Sequence, residues 1–338
     1  MPKLKEIGVS VENVNARDYV AQAQAAERLG FDSFWVPEDY VFPGAFSSAA
    51  AIATATSRIK IGTAVINPYT RHPVLIAMEL AALDQLSGGR AILGLGASLR
   101  LWIEEQMGID YAKSLSALKD AVAIIRRLLS GEEVAYQGRV FRASAGMRLN
   151  LEPERTAVPI YLGTMAPKAL ELTGAIADGW LPFGFVEPAA ARRSVEHIRT
   201  GAARAGRSLS GFDYSVNLLM AVAEDDRAAR EAVKPMLATL LAWLANQPQQ
   251  PMFTDYGLTP ADADVIRRSY ARGELRPDFV SDAMVEGMAL AGSPQRCREK
   301  LAALIEAGTT SAVFVMAGGP EFAKNLEELH RTVIRDFI

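Results

Sequence analysis

Residues 59–95 read IKIGTAVINPYTRHPVLIAMELAALDQLSGGRAILGL, and this stretch decides the fold class. It contains an apolar, β-prone run at Ile59–Ile66, a helical pattern at Val74–Leu86 and a second apolar run at Arg90–Leu95. Ser87-Gly88-Gly89 ends the helical pattern, as glycine commonly does just after a helix. A strand, a helix and a second strand in this order form a βαβ unit, whose strands pair in parallel. The stretch predicts an α/β protein.

The same alternation continues on both sides of this unit. The further predicted strands are Leu4–Val11, Phe31–Pro37, Val158–Gly163, Gly179–Pro182, Tyr214–Val222 and Ser311–Met316, and the further helices lie near Ala16–Leu29, Ser47–Thr56, Lys113–Leu129 and Glu321–Arg335. Gly138 lies between two β-prone runs and predicts an outlying hairpin. Eight strands that alternate with helices predict a (β/α)8 TIM barrel with insertions.

Two features complete the predicted organisation. A doubly wound sheet would place a glycine-rich turn after its first strand, but Val11-Glu12-Asn13-Val14 contains no glycine. Residues Pro248–Asp282 are rich in Pro, Gln, Asp and Arg and are too long for a simple connection. We therefore expect one barrel domain over residues 1–338, with an insertion at 248–282.

Composition narrows the range of partners. The chain of 338 residues is 50% hydrophobic, with a formal net charge of −3 from scattered charges, which argues against a nucleic-acid binder. No run of about 18 apolar residues and no apolar stretch of signal-peptide length occurs, so we expect a cytoplasmic protein without a membrane segment. Cys297 is the only cysteine, in a helical pattern typical of packing, and the three histidines are too widely spaced for a zinc signature. A small-molecule substrate is the expected partner, with no metal.

The active site of a TIM barrel lies at the carboxyl ends of its strands, so we expect the site residues in the segments that follow the strands. Glu38 and Asp39 follow the second strand, where carboxylates can transfer protons; the alternative is a solvated loop that caps a helix. His72 follows the third strand and is either a catalytic group or an ordinary loop histidine.

Small residues follow the fourth and fifth strands. Gly96, Ala97 and Ser98 would let a flat ring or a phosphate tail approach the backbone, although packing at the barrel rim is an equal alternative. Gly163, Thr164, Met165 and Ala166 precede a helix start, whose free N–H groups can hold an anion. An ordinary helix start with Thr164 as N-cap is the alternative.

Four longer stretches resemble one enzyme family over nearly the whole chain outside residues 248–282. They are AAERLGFDSFWVPEDY (25–40), INPYTRHPVLIAMELAALDQLSGGRAILGLGAS (66–98), YLGTMAPKALELTGAIADGWLP (161–182) and AGSPQRCREKLAALIEAGTTSAVF (291–314). Together they resemble the luciferase-like superfamily, and within it the methylenetetrahydromethanopterin reductase group.

This resemblance implies a barrel that binds the deazaflavin coenzyme F420 across its strand ends, with FMN as the alternative cofactor, and a homodimer. A non-proline cis peptide commonly lies beside the ring, which here would be the Ala64–Val65 bond. By the same resemblance, the ring lies near Ala64, Val65 and Asn67, and Trp180 helps to wall the site. The tail phosphate lies near Gly96, Ala97, Ser98 and Leu99, or near Gly163–Ala166.

The chain departs from the family at one position that matters. Many F420-dependent relatives have an Asp-His pair after the second strand, whereas this chain has Glu38-Asp39. A carboxyl group whose pKa is raised by burial can still donate a proton, so Glu38 or Asp39 is the expected catalytic acid.

The expected function is hydride transfer between F420 and a small substrate with an electron-poor C=C or C=N bond. The alternatives are an FMN-dependent monooxygenase and a non-catalytic barrel that binds a flavin or another ligand. The 248–282 insertion and the Trp102–Asp110 loop are expected to select the substrate.

Overall fold

The computed structural model describes residues 2–12, 15–184, 187–245 and 258–338. Eight parallel strands close into a barrel, in the spatial order β1-β2-β3-β4-β7-β8-β9-β11. Their bounds are β1 Glu6–Glu12, β2 Ser33–Val36, β3 Lys60–Thr63, β4 Ala91–Leu95, β7 Ile160–Leu162, β8 Gly179–Trp180, β9 Asp213–Val222 and β11 Ser311–Ala317. The ring closes because β11 pairs with both β9 and β1. The predicted TIM barrel is confirmed.

Helices surround this barrel. They are α1 Ala16–Arg28, α2 Ala45–Ala55, α3 Pro73–Ser87, α4 Ser114–Leu129, α5 Pro167–Ile176, α6 Pro188–Arg204, α7 Asp226–Leu244, α8 Pro260–Ala271, α9 Asp282–Met288, α10 Pro294–Glu306 and α11 Phe322–Leu329. Short π-helical turns lie at Leu101–Gln106 and His330–Ile334, and short 3-10 helical turns lie at Pro277–Phe279 and Arg335–Phe337. None of the helices in the described residues is long and apolar enough to cross a membrane.

Two parts of the sheet structure lie outside the barrel. The hairpin predicted around Gly138 is present as β5 (Val134–Gln137) and β6 (Arg142–Met147). A further strand, β10 (Ala289–Gly292), pairs with the carboxyl end of β9 and was not predicted. Its sequence, ALAG, has no β-branched or aromatic residue and therefore lacks the usual composition of a strand.

Part of the predicted insertion lies outside the described residues, namely 248–257. The rest of it contains α8 and the short turn Pro277–Phe279, and it ends where α9 begins. Together with α7, these elements bury a second apolar cluster that includes Leu237, Ile266 and Val285. The single-domain organisation stays a prediction.

Alternation along the strands separates two apolar layers. In β9, Val216 and Leu218 face the helices, whereas Asn217 belongs to the opposite face, toward the barrel interior. The interior is filled by the rings of Trp35 and Tyr161, whose centroids lie 5.6 Å apart. Glycines make room for both rings.

Those glycines could not carry a side chain. A Cβ on Gly62 would lie 2.2 Å from Trp35 Cε3, and a Cβ on Gly179 would lie 2.7 Å from Tyr161 Cδ1. The two rings therefore close the barrel below its carboxyl end, which confines an open pocket to the end where the active site was expected.

Cys297 packs as the sequence indicates. It is completely buried in α10, and burial raises the pKa of its thiol to about 11. A thiol with so high a pKa is a poor nucleophile at neutral pH.

Candidate active site

A pocket of about 230 Å³ opens at the carboxyl end of the barrel. Seven of the residues predicted from the sequence line it, from four different strand ends: Glu38, Asp39, Ala64, Val65, Ser98, Gly163 and Met165. The structure thus brings the segments after β2, β3, β4 and β7 together around one cavity. The other seven predicted residues do not line this pocket: Asn67, Gly96, Ala97, Leu99, Thr164, Ala166 and Trp180.

One side of the pocket is built on Val65. The Ala64–Val65 peptide bond is cis, as the sequence predicted. The Val65 side chain fits against two glycines: a Cβ on Gly96 would lie 2.5 Å from Val65 Cγ2, and a Cβ on Gly163 would lie 3.2 Å from Val65 Cγ1. Gly96 is therefore buried beneath the pocket surface, where its lack of a side chain allows Val65 to occupy its place.

Asn67 shapes the loop below this surface and does not face the pocket. It is 2% exposed, and its Oδ1 accepts hydrogen bonds from the backbone N–H groups of Tyr69 and Thr70. Its Nδ2 donates to the Tyr40 hydroxyl at 2.7 Å and to the Thr70 hydroxyl at 3.0 Å. With its whole carboxamide engaged within the protein, Asn67 holds the turn after β3 in place.

The two acidic residues after β2 have different surroundings. Arg71 Nη1 lies 2.7 Å from Glu38 Oε1, and the backbone N–H of Ala45 donates to Glu38 Oε2 at 2.7 Å. Ala45 is the first residue of α2, so the negative charge also lies at the positive end of a helix dipole. Glu38 is thus held at the start of α2, at the edge of the pocket. Asp39 lines the same edge.

Ser98 lines the pocket and is held by two tyrosines. Its hydroxyl lies 3.0 Å from the Tyr40 hydroxyl, and its carbonyl oxygen accepts a hydrogen bond from the Tyr111 hydroxyl at 3.0 Å. The φ of Ser98 is +63°, a left-handed conformation that is uncommon outside glycine. Burial raises the pKa of both tyrosines, so both remain neutral hydrogen-bonding groups at physiological pH.

The segment after β7 is only partly exposed to the pocket. Gly163 and Met165 line it, but Thr164 is 5% exposed, and its hydroxyl pairs with that of Thr173 at 2.6 Å. The N-cap of α5 is Ala166, without a side-chain cap, so the predicted alternative role of Thr164 as N-cap is wrong. Pro167 in the first turn has no N–H group, which reduces the donors available at this helix start.

Trp180 does not wall the pocket. It is 1% exposed and packs in the layer between the barrel and the helices, where its Nε1 donates to the carbonyl oxygen of Thr164 at 2.8 Å. Because side chains alternate along a strand, the next residue, Leu181, faces the interior and lines the pocket instead.

Several lining residues were not singled out as site residues from the sequence. Trp102 follows β4 and lies in the loop that was expected to select the substrate. Phe183 follows β8, and Asn217 lies in β9. Leu240 and Trp243 lie on α7. The rings of Trp102 and Trp243 meet edge to face, with centroids 5.0 Å apart. Trp102 also packs edge to face on Tyr40, with ring centroids 4.9 Å apart, so the three rings form one aromatic group beside the pocket.

His72 has a structural role in the described structure. Its Nδ1 accepts a hydrogen bond from the backbone N–H of Val74 and caps α3, and burial lowers its pKa.

Among the described residues, no group of three or more His, Cys, Asp or Glu side chains is arranged to hold a metal ion.

The sequence is similar to that of a known protein family and of several enzymes. The model of the family described as luciferase-like monooxygenase matches residues 5–311. The chain is 30% identical to 5,10-methylenetetrahydromethanopterin reductase from Methanolobus tindarius, over 92% of this chain and 94% of that protein. It is 31% identical to the enzyme of the same name from Archaeoglobus fulgidus, over 91% and 92% of the two chains.

A solved structure agrees over almost the full length. The coenzyme F420-dependent tetrahydromethanopterin reductase from Methanopyrus kandleri superimposes with a TM-score of 0.87 at 26% identity. The alignment covers 99% of this chain and 100% of that one.

Proposed function

Because this chain belongs to the luciferase-like monooxygenase family, we propose that it is a coenzyme F420-dependent oxidoreductase. It transfers a hydride between the deazaflavin and a small organic substrate with an electron-poor C=C or C=N bond. The observation that carries this proposal is the Val65 surface, backed by glycines, in a pocket that Trp102 and Trp243 also line. The F420-dependent activity named for the superimposed reductase supports the choice of cofactor.

The residues present fit a flat tricyclic ring. Ala64 and Val65 offer a smooth apolar surface, and a Cβ on Gly96 would displace the Val65 side chain on which that surface depends. The tail would lie near Gly96–Leu99 or near Gly163–Ala166, and of these residues Ser98, Gly163 and Met165 line the pocket. When bound, F420 supplies the carbon that gives or accepts the hydride.

The protein's own groups carry out the remaining tasks. Asp39 holds or delivers a proton at the substrate atom next to the hydride-accepting carbon, in place of the histidine of many relatives. The Glu38–Arg71 ion pair fixes the backbone that presents Asp39. Trp102 and Trp243 cover the substrate and exclude water from the reacting atoms.

An anaerobic assay tests this proposal. Reduced F420 is mixed with the purified protein and cyclohexenone, whose C=C bond is electron-poor, and the return of oxidised F420 is followed by its absorbance. The proposal expects protein-dependent oxidation of F420 that needs no oxygen. No turnover with any activated C=C or C=N acceptor would contradict it.

The family description favours one second function, an FMN-dependent monooxygenase. It would use the same pocket but require reduced FMN and oxygen. Substrate oxygenation under those conditions, together with inactivity toward F420, distinguishes it from the reductase. If the protein binds a flavin but neither assay gives turnover, the non-catalytic alternative is supported.

We also propose a cytoplasmic homodimer. Leu75, Met78 and Leu86 are 47%, 45% and 52% exposed. All three lie on one face of α3, because their spacing of three and then eight residues returns to the same side of a helix. A second copy of the same face would cover them.

A further inference from the structure

Asn217 is a polar residue in the barrel interior whose side chain is not satisfied by the protein. It is 6% exposed and lines the pocket, and its Oδ1 is buried without a hydrogen-bond partner in the described part of the chain. A buried polar atom without a partner is unusual, since most such atoms in folded proteins are paired.

Several polar groups deeper in the barrel are paired, in contrast to Asn217. Trp35 Nε1 donates to the Ser33 hydroxyl at 2.9 Å, and the Ser311 hydroxyl donates to Asp213 Oδ1 at 2.6 Å. On the interior face of β9, only Ser215, one layer below, shares the lack of a partner, and it does not line the pocket. The unpaired amide is therefore the one that a ligand in the pocket can reach.

The position of Asn217 in the ring places it opposite the proposed cofactor surface. Counting around the barrel from β3, which leads to Val65, β9 is four strands away in either direction. Phe183 pairs with Asn217, and with Leu240 and Val315 it belongs to one apolar cluster that forms a wall of the pocket. A ligand group that meets Asn217 therefore belongs to the molecule that lies between the cofactor and this wall.

The charges around the pocket limit what that group can be. No Lys or Arg is among the described residues that line it, and its two charged residues, Glu38 and Asp39, are both acidic. An anionic group would be repelled there and would lose its hydration without compensation. A carboxamide offers one acceptor and two donors, and rotation about χ2 can turn either end toward a neutral partner.

We infer that Asn217 is a specificity-determining residue whose carboxamide hydrogen-bonds an uncharged carbonyl-type or N–H group of the substrate. This inference rests on the proposed function, because it takes Val65 as the cofactor side. The rest of the substrate is apolar and packs against Trp102, Trp243 and Leu240.

Binding measurements with small probes test the inference directly. Cyclohexenone, cyclohexene and cyclohexene carboxylate are titrated into the full-length protein, with and without oxidised F420, by ligand-observed NMR. The wild type is expected to bind cyclohexenone more tightly than the other two. Asn217→Leu should weaken cyclohexenone binding about 5–10-fold, as expected for one lost hydrogen bond, and leave cyclohexene binding unchanged.

Two further variants separate recognition from packing. Ser215→Ala removes the other unpaired group of β9 outside the pocket and should leave all three affinities unchanged. Asn217→Ala provides a smaller replacement in case the leucine does not fit, and it should also lose the preference for cyclohexenone. F420 affinity should be the same in the wild type and in all variants.

The inference is overturned if Asn217→Leu and Asn217→Ala bind cyclohexenone as the wild type does, or if the wild type shows no preference for it. It is also overturned if these variants lose F420 affinity, because Asn217 would then belong to the cofactor side. Failure of the proposed function looks different: F420 would not bind, while the Asn217-dependent preference for cyclohexenone would persist in the cofactor-free protein.

Discussion

At the residue scale, two neighbouring acidic residues follow β2 and line the edge of the pocket. Glu38 has both oxygens engaged, one by Arg71 and the other by the first N–H of α2. Sequence alone predicts that an acid follows this strand, but not which of two adjacent acids is anchored. That difference depends on an arginine that is remote in sequence and on where a helix begins.

Asp39 is the group to change first. Asp39→Asn keeps the size of the side chain but cannot carry the proton, so kcat should fall by about 10²–10⁴-fold, the usual contribution of a positioned acid or base. Binding of F420 should be unaffected, which a fluorescence titration checks.

Asp39→His is the matched variant, because it introduces the residue of many relatives. It should retain much more activity than Asp39→Asn. Equal activity of the wild type and Asp39→Asn would remove Asp39 from the reaction.

Gly96 is important because its lack of a side chain leaves room for Val65. In Gly96→Ala the new methyl would lie about 2.5 Å from Val65 Cγ2, so Val65 must move. Overpacking of this kind costs about 1–3 kcal/mol, and we expect F420 affinity to fall by about tenfold or more.

Gly44→Ala is the control for this measurement. The nearest atom to its new methyl would be Ser47 Oγ at 3.4 Å, an ordinary contact, and it should bind F420 normally. If both variants bind the cofactor equally well, Val65 is not the surface on which the ring rests.

At the element scale, strands could be predicted from the sequence more completely than the pocket. All eight barrel strands were predicted, because short apolar runs between helices carry a clear pattern. Asn217 was missed as a pocket residue because it lies inside a strand and not after one. A signal was available: Asp213, Ser215 and Asn217 alternate with apolar residues, which marks a strand with one polar face.

Leu240 and Trp243 could not be assigned in the same way. They lie on a helix that reaches the pocket only through tertiary packing, and the helical pattern shows that they are on one side without showing what that side meets. Trp180 was predicted to line the pocket but faces the helices. The inward or outward direction of a residue in a two-residue strand depends on register, which the sequence does not show.

Asp84 connects the end of α3 to the start of β4, because its completely buried carboxylate accepts a hydrogen bond from the backbone N–H of Ala91. Arg155 contacts it through Nη2 at 2.5 Å and Nε at 3.1 Å. Arg155→Ala would leave a buried charge without its partner, so the free energy of unfolding should fall by about 3–5 kcal/mol, measured by chemical denaturation.

Arg204→Ala is the comparison, since it removes an arginine that is 69% exposed and paired with Glu171. Its effect should not exceed about 1 kcal/mol. Similar losses in the two variants would show that burial does not govern the strength of the Asp84 pair.

The start of α3 should make stability depend on pH. Burial lowers the pKa of His72 from 6.5 in the folded state, so the unfolded chain binds the proton more readily. Its contribution to stability is therefore complete above about pH 6.5 and is lost as the pH falls toward the lowered value. Thermal unfolding from pH 7.5 down to about pH 5 should show this loss.

His72→Asn keeps a side chain that can cap the helix but does not titrate, so its stability should fall less over the same range. His330, whose pKa is also lowered by burial, contributes the same trend in both proteins. An identical pH dependence of wild type and variant would exclude His72 as its source.

At the scale of the whole molecule, the exposed face of α3 predicts self-association. Leu75→Lys with Met78→Glu would place charges at the centre of the proposed contact between copies, and sedimentation should then show a monomer where the wild type is a dimer. The unfolding temperature should change little, because neither side chain is in the core. A monomeric wild type would contradict the proposed contact.

The proposed F420-dependent hydride transfer requires that the pocket over Val65 holds a deazaflavin. The most direct test is to titrate the purified cofactor-free protein separately with oxidised F420 and with FMN, following the fluorescence of each. We expect saturable F420 binding that is at least about tenfold tighter than FMN binding. Tight binding of FMN alone, or binding of neither cofactor, would contradict it.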